Sequence, residues 1–211
     1  MSGLREKQKE ARRLAILGAA AKLFKEQGFD KTSMEGIAAS AELSVATVYN
    51  YFKTKGEICI AIYTADRDLV REATDRVIAD PPKDPVAAIC KLMETDFETE
   101  VPFVDRGAWE ALFLAALQTQ PGVTEAWTGA ALMRIDQFTR LLKVLQQRGT
   151  VSAEADIESA AELLGSLDFS YFFHWIVEWR TGTGATRRFL NAPKKRRLRA
   201  HVKQLVAGLL P

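Results

Sequence analysis

The sequence predicts an all-α fold of about nine helices, and three observations predict it. Apolar residues recur at spacings of three and four along most of the chain, the period of a helix that buries one side. No stretch alternates apolar and polar residues with period two, so no half-buried strand is expected. Only 13 Gly and 7 Pro occur in 211 residues, and clusters such as Asp80-Pro81-Pro82 lie between the periodic stretches and stop them. With 47% hydrophobic residues the chain can bury a sizeable core, as one large domain or as a small one joined to a medium one.

Residues 1–11 are polar and rich in Lys, Arg and Glu, and read as a loose arm leading into a helix over about 9–27. Arg5, Lys7, Lys9, Arg12 and Arg13 can reach phosphates or a minor groove, or can simply face solvent. Leu14, Leu17, Ala21 and Phe24 mark the buried face of that helix, and Gly28 ends it as a left-handed cap.

The stretch over residues 32–55 is read as two short helices, a tight turn and the start of a third. Thr32 caps the first short helix, with Glu35 at capping-box spacing. Ile37, Ala38 and Ala41 form its small apolar face, and Glu42-Leu43 makes the turn. Ser44 caps the second helix, and Leu43 and Val48 form a hydrophobic staple across its start. Val48, Tyr51 and Phe52 face inward, which leaves Ser44, Val45, Thr47, Tyr49 and Asn50 outward or sideways. Such an outward set suits DNA. Hydroxyls and an amide bond phosphates or base edges, and Val45 or Ala46 can meet a thymine methyl. The pattern is that of a helix-turn-helix with its second helix in the major groove.

The run I-A-x-x-A-x-L-S-x-A-T-V-Y-x-Y-F-K-T-K over residues 37–55 resembles the DNA-binding signature of the TetR family of bacterial transcriptional regulators. Thr32, Ile37, Ala38, Ser44, Thr47, Tyr49, Phe52 and Lys55 stand where that family's pattern has them, and so do Gly28 and Phe29. Two positions depart from it: Glu42 and Ala46 stand where the family commonly has glycine. A left-handed turn at Glu42 costs about 1 kcal/mol. The Ala46 methyl lies on the DNA face, so it alters base preference more than folding. The motif and the resemblance together assign base contacts to Val45, Thr47 and Asn50, and phosphate contacts to Thr32, Ser44, Tyr49 and Lys55.

Beyond the motif, a helix is expected from Lys55 to about 79, with Ile58, Ile62, Leu69, Ala73 and Val77 on one stripe. No linker rich in Gly, Ser or Pro precedes it, so it can transmit a tilt. Pro85 opens the next helix, with Val86, Ile89, Met93 and Phe97 inward, and Val101-Pro102-Phe103 breaks it. A helix over about 106–118 points Ala108, Trp109, Leu112, Phe113 and Ala116 inward. The following helix runs to about 148 with Trp127, Leu132, Ile135, Phe138, Leu142 and Leu145 inward, and Gly149 closes it. Another starts after Ser152, with Glu154 and Asp156 in its first turn, and ends at Thr181-Gly182-Thr183-Gly184. The last starts near Pro193 and carries Leu198, Val202, Leu205, Val206 and Leu209.

Charge is distributed unevenly. Net charge is +2, yet residues 1–57 carry 10 cations against 7 anions, residues 58–179 carry 10 against 20, and residues 180–211 carry 9 against none. A basic head on an acidic body directs one end of the molecule at DNA. The run Lys194-Lys195-Arg196-Arg197 with Arg199 shares its helix with an apolar stripe and is read as a solvated face. Cys59 and Cys90 lie far apart with no His or Cys at ligand spacing, so they read as reduced thiols on apolar helix faces. The charged N-terminus is not a signal peptide, and no apolar run is long enough to span a bilayer, so a cytoplasmic protein without a membrane partner is expected.

Six aromatic residues crowd residues 169–179: Phe169, Tyr171, Phe172, Phe173, Trp175 and Trp179. They lie on more than one face, so something packs on each side. Asp168, Phe172, Trp175 and Trp179 share one stripe, and Leu167, Tyr171, His174 and Glu178 the adjacent one. The resemblance implies that one side lines an effector pocket and the other a four-helix dimer interface; the residues alone leave open which is which. Trp109, Phe113 and Trp127 can complete a pocket with Asp168, Phe172 and Trp175, suited to a small lipophilic or aromatic, even cationic, effector.

No phosphate loop, nucleophile elbow or paired metal motif occurs, and His174 and His201 are the only histidines, so no enzyme, cofactor or metal is expected. The expected architecture is a three-helix helix-turn-helix head over 1–54 and a helical effector-binding and dimerisation bundle over 55–211. The expected function is sequence-specific transcriptional regulation by a homodimer on a pseudo-palindromic double-stranded DNA operator, as a repressor released by its effector. Two alternatives stand beside it. In one the bundle binds a protein partner or only dimerises. In the other the chain is a helical enzyme with an incidental resemblance.

Overall fold

The computed structural model describes residues 2–103, 113, 123–180 and 190–210. Among the described residues the secondary structure is helical, without strands. It comprises α1 (Ser2–Gln27), α2 (Met34–Ser40), α3 (Val45–Tyr51), α4 (Lys55–Ala79), α5 (Pro85–Glu98), α6 (Val123–Gln147), α7 (Ile157–Arg180), α8 (Ala192–Leu205) and a 3-10 turn (Ala207–Leu209). The helix expected over about 106–118 lies outside the described residues, Phe113 excepted. The chain packs as two compact units, Met1–Asp68 with Val101–Thr128, and Leu69–Glu100 with Gly129–Pro211. Residues 55–68 of α4 belong to the first and 69–79 to the second.

In the first unit α1 begins at Ser2, so the stretch expected as a loose arm is helical. Its Lys, Arg, Glu and Gln residues are good helix formers, and no turn residue interrupts them. Ile16, Leu17, Ala20, Ala21 and Phe24 form the buried face, whereas Leu14 lies off it and is exposed. Gly28 closes α1 with φ 83°, its N–H donating to the Phe24 carbonyl at 3.0 Å.

The cap of α2 is Ser33, not Thr32. Ser33 keeps an extended backbone and its Oγ accepts from the Gly36 N–H at 3.0 Å. Thr32 is 2% exposed, and its hydroxyl donates to the Gly28 carbonyl at 2.8 Å and accepts from Gln27 Nε2 at 3.3 Å. The Thr32-to-Glu35 spacing pointed one residue too early, because the backbone of Ser33 makes the turn into the helix.

Between α2 and α3 the Leu43 N–H donates to the Ala38 carbonyl and the Glu42 N–H to the Ala39 carbonyl, a Schellman closure. Its left-handed residue is Glu42, at φ 56°. Glu42→Gly relieves the Cβ penalty of about 1 kcal/mol. The expected result is a rise in Tm of roughly 2–4 °C; an unchanged Tm would mean that this turn carries no strain. The same closure ends α6, where Gly149 at φ 72° is the left-handed residue and the Thr150 N–H donates to the Leu145 carbonyl.

The stripe of α4 is not the expected one beyond its midpoint. Ile58, Ile62, Asp66, Val70, Thr74 and Ile78 are buried, at strict i+4 spacing, whereas Leu69 is exposed and Ala73 and Val77 are half-buried. Asp66 and Thr74 hid this stripe, since a polar residue breaks an apolar pattern. Each has a hydrogen-bond partner: Asp66 Oδ1 accepts from the Phe103 N–H at 3.4 Å, and Thr74 Oγ1 donates to the Val70 carbonyl at 2.9 Å.

The second unit's core joins Ile89, Leu92 and Met93 of α5, Phe138, Leu141, Leu142 and Leu145 of α6, Ile157, Ala161 and Leu164 of α7, and Leu198 and Val202 of α8. Leu132 and Leu205, expected inside, are exposed. Helix α7 starts five residues after Ser152: the Asp156 carboxylate accepts from the Ser159 N–H at 3.1 Å, so residues 152–155 form a turn rather than a first helical turn. In α8 the basic run is largely spent within the chain. Lys194 pairs with Glu178, Lys195 with Glu94 and Glu98 at 2.9 Å, and Arg199 with Asp84 at 2.9 Å. Arg196 and Arg197 are exposed. Both cysteines are buried and free; burial pushes the Cys59 thiol up to about 12 and Cys90 to about 11, so both stay protonated near neutral pH.

Candidate functional site

Helix α3 is seven residues long and divides cleanly. Val48 is fully buried and Phe52, just past the helix, is 7% exposed; both join the cluster of Ile16, Leu17, Phe24 and Ile37, and Leu43 and Tyr51 pack against it. Val45 (37%) and Tyr49 (39%) are exposed, as are Ser44 and Asn50, and Thr47 is half-exposed. The Ser44 Oγ accepts from the Thr47 N–H at 3.1 Å and lies 2.7 Å from the Thr47 hydroxyl. These bonds hold both hydroxyls at the start of the exposed face. Five of the seven expected DNA-contacting residues thus share one surface of one element.

The other two are placed differently. Thr32 is buried with its hydroxyl committed, which removes it as a side-chain ligand for phosphate; it holds the turn between α1 and α2 instead. Lys55, at the start of α4, sends Nζ to the Phe29 carbonyl at 2.7 Å and to the Asp30 carbonyl at 3.3 Å, 4.6 Å above the Phe29 ring. Its cation therefore ties the end of α1 to the start of α4 and remains only partly exposed.

A cap close to the capping-box pattern, its Glu reaching one residue before the capping Thr, escaped the sequence reading. Thr54 Oγ1 accepts from the Glu57 N–H at 3.1 Å, and the Glu57 carboxylate accepts from the Lys53 N–H at 2.7 Å. Lys53 Nζ in turn donates to the Tyr49 carbonyl at 2.8 Å, at the end of α3. The signal was present as T-K-G-E over 54–57, the same Thr-x-x-Glu spacing that misled at Thr32. Together these bonds set the angle at which α4 leaves α3.

Of the expected effector residues, Trp109 lies outside the described residues, as do the side chains of Trp127 and Trp179. Phe113 is half-buried. Phe172 and Trp175 are half-buried on one side of α7, with ring centroids 6.0 Å apart, and Tyr171 beside them meets His201 of α8. Leu163, Phe169, Phe173 and Val177 are exposed on another side of α7. The two aromatic sides that the sequence left undecided therefore differ in burial.

Asp168 does not present a carboxylate for a ligand. Both its oxygens are held by Arg134 of α6, Nη2 at 2.8 Å and Nε at 3.1 Å, in a two-pronged bond that is buried on both sides. Asp96 of α5 lies 3.6 Å from the same guanidinium, and Gln137 accepts from Arg134 Nη1 at 2.9 Å. Burial alone would push the Arg134 guanidinium down; Asp168 and Asp96 outweigh it and hold the group above its ordinary range, fully charged. Among the described residues no group of His, Cys, Asp and Glu is arranged to hold a metal ion, and no helix is long and apolar enough to cross a membrane.

Comparison with known proteins agrees with this arrangement. The model of bacterial regulatory proteins of the tetR family matches residues 16–62, from the buried face of α1 to the first turns of α4. The transcriptional regulator EthR of Mycolicibacterium smegmatis is 27% identical over 157 residues, which cover 74% of this chain and 70% of that protein. The transcriptional repressor KstR of Mycobacterium tuberculosis is 24% identical over 192 residues, covering 87% and 79%. Among solved structures, the complex of SmeT with triclosan superposes with a TM-score of 0.74 at 24% identity, over 95% of this chain and 92% of that one. SmeT is the repressor of the Stenotrophomonas maltophilia multidrug efflux pump SmeDEF. At that identity the superposition bears on the fold alone.

Proposed function

We propose that this chain, whose residues 16–62 match the model of bacterial regulatory proteins of the tetR family, is a DNA-binding transcriptional regulator of that family: a cytoplasmic homodimeric repressor of a pseudo-palindromic operator, released by a small lipophilic or aromatic effector. The observation that carries the DNA half of this reading is the division of α3, with Val48 buried and Val45, Tyr49 and Asn50 outside. Val45, Thr47 and Asn50 read base edges; Ser44, Tyr49 and Lys55 hold phosphates. Thr32 supports them from beneath.

The half-buried pair Phe172 and Trp175 supports an aromatic wall for the effector. Asp168 stands behind that wall, its charge already matched. The exposed apolar side of α7, with Leu163, Phe169, Phe173 and Val177, supports the homodimer: an exposed patch of large apolar side chains marks a surface that a partner covers.

The test is fluorescence anisotropy with the upstream region of the protein's own gene against a scrambled duplex at physiological salt. A preference of about 10³ or more establishes specific recognition. Equal, weak and steeply salt-dependent binding to both duplexes would leave only the non-specific phosphate contribution and defeat the repressor reading for that operator. Loss of anisotropy on adding triclosan, the ligand of SmeT, begins the effector screen with the same reagents.

Two substitutions separate the roles. Asn50→Ala relaxes preference at one base position, at about 1–3 kcal/mol, in a sequence-selection assay. Tyr49→Phe, which deletes a phosphate-bonding hydroxyl, weakens matched and unmatched duplexes alike. An Asn50 variant with unchanged preference, or a Tyr49 variant affected on one sequence alone, contradicts the assignment.

A further inference from the structure

We propose that the corner between α4 and α5 is a binding site for a small organic dianion, a phosphate monoester or a dicarboxylate carried on an apolar body. A cavity of about 510 Å³ opens there, within the second compact unit, between the last turn of α4, the turn that follows it and α5. Val77, Pro81 and Pro82 form its floor, and Arg76, Lys83 and Lys91 stand around it. Pro81 is buried, Val77 and Pro82 are half-buried, and the three cations are exposed. None of these residues lies on α7, so the site is separate from the aromatic wall proposed for the effector, and it does not depend on operator binding.

The cations carry the argument. Residues 58–179 hold 10 cations against 20 anions, so a cation there has carboxylates in plenty to pair with. Arg134, Arg140, Lys143 and Arg148 each meet one, and Arg67 and Arg71 are engaged as well. Among the described cations of this stretch, Arg76, Lys83 and Lys91 alone have side chains without a bonding partner, and all three line one cavity. The cavity's carboxylate, Asp80, already faces Arg148 at 3.6 Å, and the same guanidinium donates to the Pro81 carbonyl at 3.0 Å. The uncompensated charge is therefore that of three cations in a concave surface, which attracts a ligand with more than one negative charge. The Arg76 fork takes two oxygens of a phosphate or carboxylate, and the lysines add point charges. The floor has a different preference. Two prolines without N–H groups, one carbonyl already spent, and a valine offer little to a hydrated inorganic ion and favour an aliphatic or aromatic body. The volume falls within the roughly 300–1,000 Å³ of small-molecule sites.

The full-length protein is titrated with phenyl phosphate at low salt, above the second phosphate pKa of about 6, and followed by amide shifts in heteronuclear NMR spectra. Phthalate, inorganic phosphate and phenol are titrated in parallel. The expected result is saturable binding with a Kd of about 1 mM or tighter, with the shifts gathered on residues 76–91. Arg76→Gln, Lys83→Gln and Lys91→Gln each weaken it by about 5-fold, the worth of one nearby charge at low salt, and Lys83→Arg does not. Lys203→Gln removes the same charge from an exposed position on α8, outside the cavity lining, and leaves Kd unchanged. Whichever of phenyl phosphate and phthalate binds more tightly names the head group, and either order supports the site. Inorganic phosphate binding as tightly as phenyl phosphate would show that the floor takes no part, and phenol doing so would show that the cations take none. Either result overturns the proposal. So does the absence of saturable shifts with both dianions up to about 10 mM, or an unchanged Kd in the three glutamine variants.

Discussion

Arg134→Met is expected to destabilise the protein by about 3–5 kcal/mol, because it strips the cation from buried carboxylates and leaves their charge unmatched in the core. The wild-type guanidinium is 6% exposed, forked onto Asp168, 3.6 Å from Asp96, and 5.0 Å above the Phe138 ring. Methionine fills much of the same volume, so the loss reports electrostatics more than a cavity. Urea unfolding reads it as a lower midpoint at unchanged slope. The deficit shrinks on acidification, since a buried carboxylate deprived of its cation is driven to the neutral form. Arg134→Lys keeps the charge but not the planar fork, and falls between the two. A methionine variant as stable as wild type would show that the carboxylates are solvated or neutral in the native protein.

Ile37→Ala is expected to cost about 2–5 kcal/mol in the DNA-binding unit, one methylene and two methyl groups removed from a site with no exposure. For a chain of this length that lowers Tm by roughly 5–15 °C. Ile37 faces Leu17, Phe24 and Val48 in the core, away from the outward side chains of α3. Its loss therefore leaves base preference as it was, and saturating operator duplex raises the Tm of the variant by mass action as it does for wild type. The contrast with Asn50→Ala is diagnostic: one variant is unstable and specific, the other stable and less specific. An Ile37→Ala variant with altered base preference would place this residue's influence on the reading face and contradict the division of the head into a core side and a DNA side.

What the sequence determined by itself is whatever depends on neighbours within a few residues. Helix α4 was legible from Lys55 to Ala79, the closures at Gly28 and Gly149 were legible, and so was the left-handed turn at Glu42, because caps, breakers and backbone sterics are local. The outward set on α3 was legible for the same reason: burying Val48 and Phe52 at one short helix leaves Val45, Tyr49 and Asn50 nowhere to go but outside. The tertiary structure decided what depends on a partner distant in the chain. It turned Asp168 from a ligand group into a matched charge, because Arg134 lies 34 residues away and no local pattern pairs them. It buried Thr74 and Asp66 in the α4 stripe where Leu69 was expected, because a polar side chain can enter a core only if another element bonds it there, and Gln137 and the Phe103 N–H do so. It spent the cations of α8 on Glu94, Glu98, Asp84 and Glu178 rather than on solvent. Apolar burial follows a period that can be read along the chain; polar burial follows from complementarity between elements, which exists only once they are packed.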